Sequence, residues 1–143
     1  MQVRDIMNPS VVSIMPDESA TLAARLLSRH NVGSIPVCGE EGGLRGIITD
    51  RDIVLRCVAA EEDPAHTQVK DIMTRNCATV SPADDAREAA RIMAAKQVRR
   101  LPVLDEGKVV GMVALGDLAC CHQYDMEASK ALSEISENVH HMA

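Results

Sequence analysis

Apolar residues recur along the chain in two patterns, one with helical spacing and one in short runs of strand length. Two segments carry four apolar residues each at three- and four-residue intervals, and both predict amphipathic helices. Those positions are Ala20, Ala23, Ala24 and Leu27, then Ala86, Ala89, Ala90 and Met93. Short apolar runs bounded by Gly-rich and acidic turns predict strands over 35–37, 44–48, 101–104 and 109–113. Segments 11–14 and 78–80 predict one more short strand before each helix, and segments 50–60 and 116–121 predict a closing helix.

The same order of elements occurs twice because the sequence repeats itself. Val3-Arg4-Asp5-Ile6-Met7 returns as Val69-Lys70-Asp71-Ile72-Met73, and Pro36-Val37 returns as Pro102-Val103. We therefore predict two repeats, residues 1–62 and 63–124. Each is too short for a secure core of its own, so we expect the pair to share one.

Residues 125–143 lie outside the repeats and predict a C-terminal amphipathic helix. Five apolar residues form one narrow helical stripe there: Ala128, Ala131, Leu132, Ile135 and Val139. Such a stripe requires a surface to cover, either in its own chain or in a partner.

Composition excludes several classes of protein. The 143 residues carry a net charge of −6, so a uniformly basic nucleic-acid surface is absent. Tyr124 is the one aromatic residue among Phe, Trp and Tyr, which disfavours base-stacking platforms. No apolar run reaches the roughly 18 residues of a membrane helix, and residues 1–5 do not resemble a signal peptide. We expect a cytoplasmic protein that binds neither nucleic acid nor membrane.

The five cysteines, an odd number without a Cys-x-x-Cys pair, predict reduced thiols. Cys120-Cys121-His122 is the one cluster that suggests a metal, but adjacent helical residues point in different directions and chelate poorly. We therefore predict no metal site. The motifs of P-loop enzymes, serine hydrolases, zinc proteases and dinucleotide-binding enzymes are all missing, so we predict no catalytic residue and no enzyme.

The end of each second strand carries the candidate chemistry. In repeat one, Gly46, Thr49 and Asp52 form a Gly-x-x-Thr-x-x-Asp pattern. Thr followed three residues later by an acid is typical of a helix capping box. The same hydroxyl could instead reach a phosphate oxygen, and the carboxylate could accept two ribose hydroxyls. Repeat two keeps the acid, Asp117, but has Ala114 in the hydroxyl position, so capping explains Asp117 poorly.

The repeat, the element order and the run from Gly46 to Asp52 resemble the CBS domain, and two in tandem resemble the CBS pair or Bateman module. The likeness covers about residues 3–122 and is close to stand-alone CBS-pair proteins of the hypoxic-response type. It implies an α/β (α+β) fold of two repeats, each strand-helix-strand-strand-helix. The repeats are expected to pack with pseudo-twofold symmetry, followed by the C-terminal helix.

The resemblance also implies a non-catalytic regulatory module. Such a module binds an adenosine-containing ligand in clefts between the repeats, dimerises and signals to an effector protein. AMP, ADP, ATP or a related ligand such as S-adenosylmethionine is the expected regulatory ligand, and no cofactor is required. In the similar gamma subunit of AMP-activated kinase, basic residues before Leu-Pro-Val contact phosphate, and Arg99 and Arg100 match them.

The implied nucleotide-binding residues come from both repeats and include strand residues that could sandwich adenine. They are Gly33, Ser34, Ile35, Pro36, Ile48, Thr49, Asp52, Arg99, Arg100, Leu101, Pro102, Val113 and Asp117. Because Ala114 lacks a hydroxyl, we expect the second site to be weaker. Two alternatives remain: a dimerising interaction protein that has lost ligand binding, and a thiol or metal sensor.

Overall fold

The computed structural model describes residues 1–119 and 130–135. Its helices are α1 (Ala20–His30), α2 (Asp50–Ile53), α3 (Val69–Ile72), α4 (Ala86–Lys96) and α5 (Leu115–Ala119). Its strands are β1 (Ser34–Cys38), β2 (Leu44–Thr49), β3 (Arg100–Asp105) and β4 (Lys108–Ala114). A 3-10 turn spans Val3–Asp5, a π-helical segment, Val54–Val58, continues α2, and residues 130–135 are helical.

The two long helices begin at side-chain caps and end in left-handed residues. The hydroxyl of Ser19 accepts a hydrogen bond from the Leu22 N–H at the start of α1, and the Asp85 carboxylate accepts one from Arg87 N–H at the start of α4. Asn31 and Gln97 terminate them with positive φ angles of 51° and 57°. The apolar face predicted for α1 is buried except for Ala24, which is exposed.

Each repeat contains one hydrogen-bonded pair of strands, whereas the sequence predicted three strands in each repeat. β1 pairs antiparallel with β2, with Ser34 opposite Thr49, and β3 pairs with β4. The predicted leading strands, 11–14 and 78–80, are reduced to single parallel bridges at Ile14 and Val80. Each of these residues donates one backbone hydrogen bond to the adjacent strand and accepts one from it, and the pairing extends no further.

The chain forms two compact units. Unit A comprises Val12–Cys77 with Gly107–Val109. Unit B comprises Met1–Val11, Ala78–Glu106 and the described residues from Val110 onward. The opening residues of each sequence repeat are therefore built into the unit that holds most of the other repeat, so the units divide the chain differently from the predicted boundary at residue 62.

Each unit has its own apolar core. That of unit A includes Ile35, Val37 and Ile48, and that of unit B includes Leu101, Val103 and Val113. Two residues of the predicted C-terminal stripe, Ala131 and Ile135, are buried in the core of unit B. Ala128 and Val139 lie outside the described residues. Within the described chain, no helix has the length and apolar character to cross a membrane.

Candidate functional site

Thr49 and Asp52 form a complete capping box where β2 enters α2. The Asp52 N–H donates to Thr49 Oγ1 and the Thr49 N–H donates to Asp52 Oδ2, both at 3.0 Å. The capping geometry considered from the sequence is thus present. It satisfies two backbone donors at the start of a helix that has only four residues before the π-helical segment begins.

The Asp52 carboxylate also bonds to a residue distant in sequence. Thr74 Oγ1 lies 3.1 Å from Asp52 Oδ1 and 3.3 Å from Oδ2, and the Arg56 guanidinium lies 3.7 Å from Oδ1. Arg56 also donates to the carbonyls of Ile72 and Met73, each at 3.0 Å. We call Thr49, Asp52, Arg56 and Thr74 the Asp52 network. It holds a buried carboxylate, 6% exposed, with donors on several sides.

Gly46 allows the segment around Thr74 to approach β2. Ile47 and Thr74 exchange two backbone hydrogen bonds of 2.9 Å. A Cβ at Gly46 would lie 2.5 Å from the Thr74 carbonyl oxygen, closer than any real side chain tolerates. Gly111 has the same role in unit B, where a Cβ would lie 3.1 Å from the Asn8 carbonyl oxygen. The first position of the motif is therefore required for packing in both units.

Asp117 caps its helix despite the missing hydroxyl. Its Oδ2 accepts a hydrogen bond of 2.8 Å from the Ala114 N–H, which is half of a capping box. The expectation that capping would explain Asp117 poorly was wrong. The carboxylate needs only the backbone N–H of residue 114, whatever side chain that residue carries.

The structure brings Arg99, Arg100 and Asp117 to one cleft of about 500 Å³ in unit B. Ala114 and Leu132 also line it. The Leu115 N–H donates to the Arg99 carbonyl at 2.8 Å, which fixes the start of α5 against the arginine segment. Among the residues described, no carboxylate forms a salt bridge with either arginine. The cleft thus combines one acid with two guanidinium groups that have no salt-bridge partner among the described residues.

Two sets of matches connect this geometry to known proteins. Residues 3–58 and 69–120 each match the CBS domain. The chain belongs to the CBS domain family. The CBS domain-containing protein YhcV of Bacillus subtilis is 41% identical over 139 residues, covering 96% of this chain and 98% of YhcV. Hypoxic response protein 1 of Mycobacterium tuberculosis is 36% identical over 116 residues, covering 81% of each chain.

Solved structures of CBS proteins have the same fold. Hypoxic Response Protein I, crystallised with two coordinated zinc ions, gives a TM-score of 0.79 at 35% identity, covering 85% of this chain and 98% of that one. The CBS domain pair of protein MJ0100 was solved in complex with 5′-methylthioadenosine and S-adenosyl-L-methionine. It gives a TM-score of 0.76 at 29% identity, covering 86% of this chain and 96% of that one. The resemblance to CBS pairs and to the hypoxic-response type is confirmed, as is the mixed α and β fold.

The remaining candidate residues of this CBS pair have packing roles in the structure. Gly33 and Ser34 lie at the start of β1, beside Thr49, and the Gly33 carbonyl accepts from the Asp50 N–H. The strand residues considered as an adenine sandwich are buried, so packing already accounts for them. They are Ile35, Ile48, Leu101 and Val113, and the neighbouring candidates Pro36 and Pro102 are buried as well. Their contact with a base stays a prediction.

Two thiols of the described chain, Cys38 and Cys77, are poorly suited to redox sensing. Burial raises the pKa of the Cys38 thiol, and a hydrogen bond with Ser13 only partly opposes this. Burial likewise raises the pKa of Cys77, which disfavours the reactive thiolate. No group of three or more His, Cys, Asp or Glu residues suited to a metal occurs within residues 1–119 and 130–135. Cys120, Cys121 and His122 lie outside the described residues.

Sequence reasoning missed the side-chain contacts of Arg56 and Thr74 and the place of Leu132 in the cleft. Thr74 follows the repeated pentapeptide, but its contact with Asp52 spans 22 positions and leaves no local spacing signal. Leu132 was noted only as part of a helical stripe. Its position in the cleft depends on how residues 130–135 pack on unit B.

Proposed function

We propose that this CBS pair is a non-catalytic regulatory module that binds an adenosine-containing ligand and signals its presence to an effector protein. AMP, ADP or ATP is the proposed ligand class, with S-adenosylmethionine as a related candidate. CBS-pair proteins are generally regulatory, and the pair of MJ0100 was crystallised with two adenosine-containing ligands. The observation that carries the proposal is the unit B cleft, in which Arg99 and Arg100 have no salt-bridge partner among the described residues.

The two arginines suit the phosphate end of such a ligand. Guanidinium groups present several donors in a fixed plane and bind phosphate oxygens in pairs. Arg99 is exposed and Arg100 is half-buried, so one lies towards solvent and the other deeper in the cleft. Because no described carboxylate pairs with Arg99 or Arg100, neither guanidinium has to break such an ion pair before it binds a phosphate.

A carboxylate in each unit is proposed to receive the ribose hydroxyls. Asp117 lines the cleft that contains the arginines. In unit A, Asp52 is the proposed ribose acceptor, with Thr49 beside it. Its carboxylate already accepts bonds from Thr49 and Thr74, so a ligand there has to share or displace them. Asp117 likewise already accepts a bond from the Ala114 N–H, so a ligand shares a helix-capping carboxylate in either unit.

Removing one arginine separates phosphate recognition from nucleoside recognition. We expect Arg100→Ala to weaken AMP binding about tenfold or more, since a hydrogen bond to a charged group contributes about 1.5–3 kcal/mol. Adenosine binding should change little because adenosine carries no phosphate. Calorimetric titration of both ligands measures this.

Arg91→Ala is the matched control. Arg91 is an exposed arginine of unit B that pairs with Glu88 on the surface of α4, so its loss should leave both affinities unchanged. Equal weakening of AMP and adenosine by Arg100→Ala would show that Arg100 supports the fold and does not bind phosphate.

A further inference from the structure

The C-terminal helical segment contributes a side chain to the cleft of unit B. The CBS match ends at residue 120, and residues 130–135 lie beyond it. Ala131 and Ile135, one helical turn apart, are buried in the core of unit B. Leu132 lies on the adjacent side of the helix, is 44% exposed, and lines the same cleft as Arg99 and Arg100.

We propose that Leu132 forms the apolar wall of the ligand site and contacts the nucleoside part of the ligand. This inference rests on the proposed function and identifies a contact outside the CBS repeats. Among the described residues of the cleft, Leu132 is the one large apolar side chain with substantial exposure, since Leu115 is buried. Those residues include no aromatic ring on which a base could stack. An aliphatic side chain is therefore the available partner for the flat, uncharged base.

The position of Leu132 also couples the ligand to the C-terminal segment. One face of residues 130–135 is fixed in the core through Ala131 and Ile135, and the adjacent face contacts the ligand through Leu132. A ligand that packs against Leu132 adds contacts to this short helical segment and stabilises its folded form. Occupancy of the cleft is thereby transmitted to a segment outside the CBS repeats.

The test compares Leu132→Ala with Leu55→Ala in the full chain. Leu55 is a leucine of similar exposure, 48%, in unit A. We expect Leu132→Ala to weaken adenosine and AMP alike, each about fivefold, because both ligands carry the nucleoside that the leucine contacts. Leu55→Ala should leave both affinities within twofold of wild type. Hydrogen exchange of a peptide covering 130–135 should slow on addition of AMP in the wild type and less in Leu132→Ala.

The outcomes separate this inference from the function on which it rests. If ligand-free wild type binds neither adenosine nor AMP, the proposed function fails. If wild type binds both and Leu132→Ala binds them equally well, the role of Leu132 is overturned. Leu132→Met, which keeps apolar volume, should retain affinity. If Leu132→Ala lowers the melting temperature of the free protein, the affinities are measured with Leu132→Gln instead. Unchanged affinity in Leu132→Gln would also overturn the inference.

Discussion

At the residue scale, the side chains of the candidate binding motif around Asp52 already form a structural motif. The carboxylate accepts from the Thr49 N–H and from Thr74 Oγ1, and it lies near the Arg56 guanidinium. The sequence predicted the Thr49 contact, because capping depends on a spacing of three residues. It could not predict the Thr74 contact, which depends on the approach of a segment 22 residues away.

We expect Asp52→Ala to lower the free energy of unfolding by about 1–3 kcal/mol, because it removes a cap and leaves buried donors unpaired. Urea unfolding measures the change. Asp50→Ala is the control, since Asp50 is an exposed acid in the first turn of the same helix. An unchanged unfolding midpoint for Asp52→Ala would contradict the structural role of the Asp52 network. Titration of the same variant tests the ribose role, which predicts weaker binding of adenosine and AMP alike.

At the element scale, the sequence predicted the two long helices and β1 to β4, but the leading strands only in part. Ser19 and Asp85 are residue types that commonly cap helices, and α1 and α4 begin directly after them. The strands predicted at 11–14 and 78–80 form single bridges, because pairing depends on partners distant in sequence. The helix predicted over 50–60 was found as α2 followed by a π-helical segment, a change of winding that apolar spacing does not reveal.

That π-helical segment leads to a prediction about assembly. Val54 and Val58 are 55% and 62% exposed and lie four residues apart. We predict that this apolar face contacts a second copy of the chain in a homodimer, because burial of such side chains is favourable. Light scattering at micromolar concentration should give a dimer, and Val58→Glu should shift it towards monomer. Ala60→Glu, which adds the same charge at a neighbouring exposed residue, should remain dimeric. A monomeric wild type, with and without ligand, would contradict the prediction.

At the scale of the whole molecule, the repeated sequence predicted a CBS pair but not how the chain is shared between compact units. Val3 is buried in the core of unit B, and Val69, its counterpart in the repeat, is buried in the core of unit A. The two valines occupy the same position of the repeated pentapeptide, so the sequence alone does not show which core each of them joins. The arginines before Leu-Pro-Val were predicted as a phosphate site from the resemblance, and the structure adds the cleft that they line with Asp117.

The most direct test of the proposed nucleotide binding is the melting temperature of ligand-free protein with and without millimolar AMP, ATP or S-adenosylmethionine. Absorbance at 260 nm verifies that the sample is free of nucleotide, since the chain has one Tyr and no Trp. A ligand that binds only the folded protein at about 100 times its Kd stabilises it by about 2.7 kcal/mol, which corresponds to a rise of roughly 5–10 °C. We predict such a rise with at least one of these ligands. An unchanged melting temperature with all three would contradict the account.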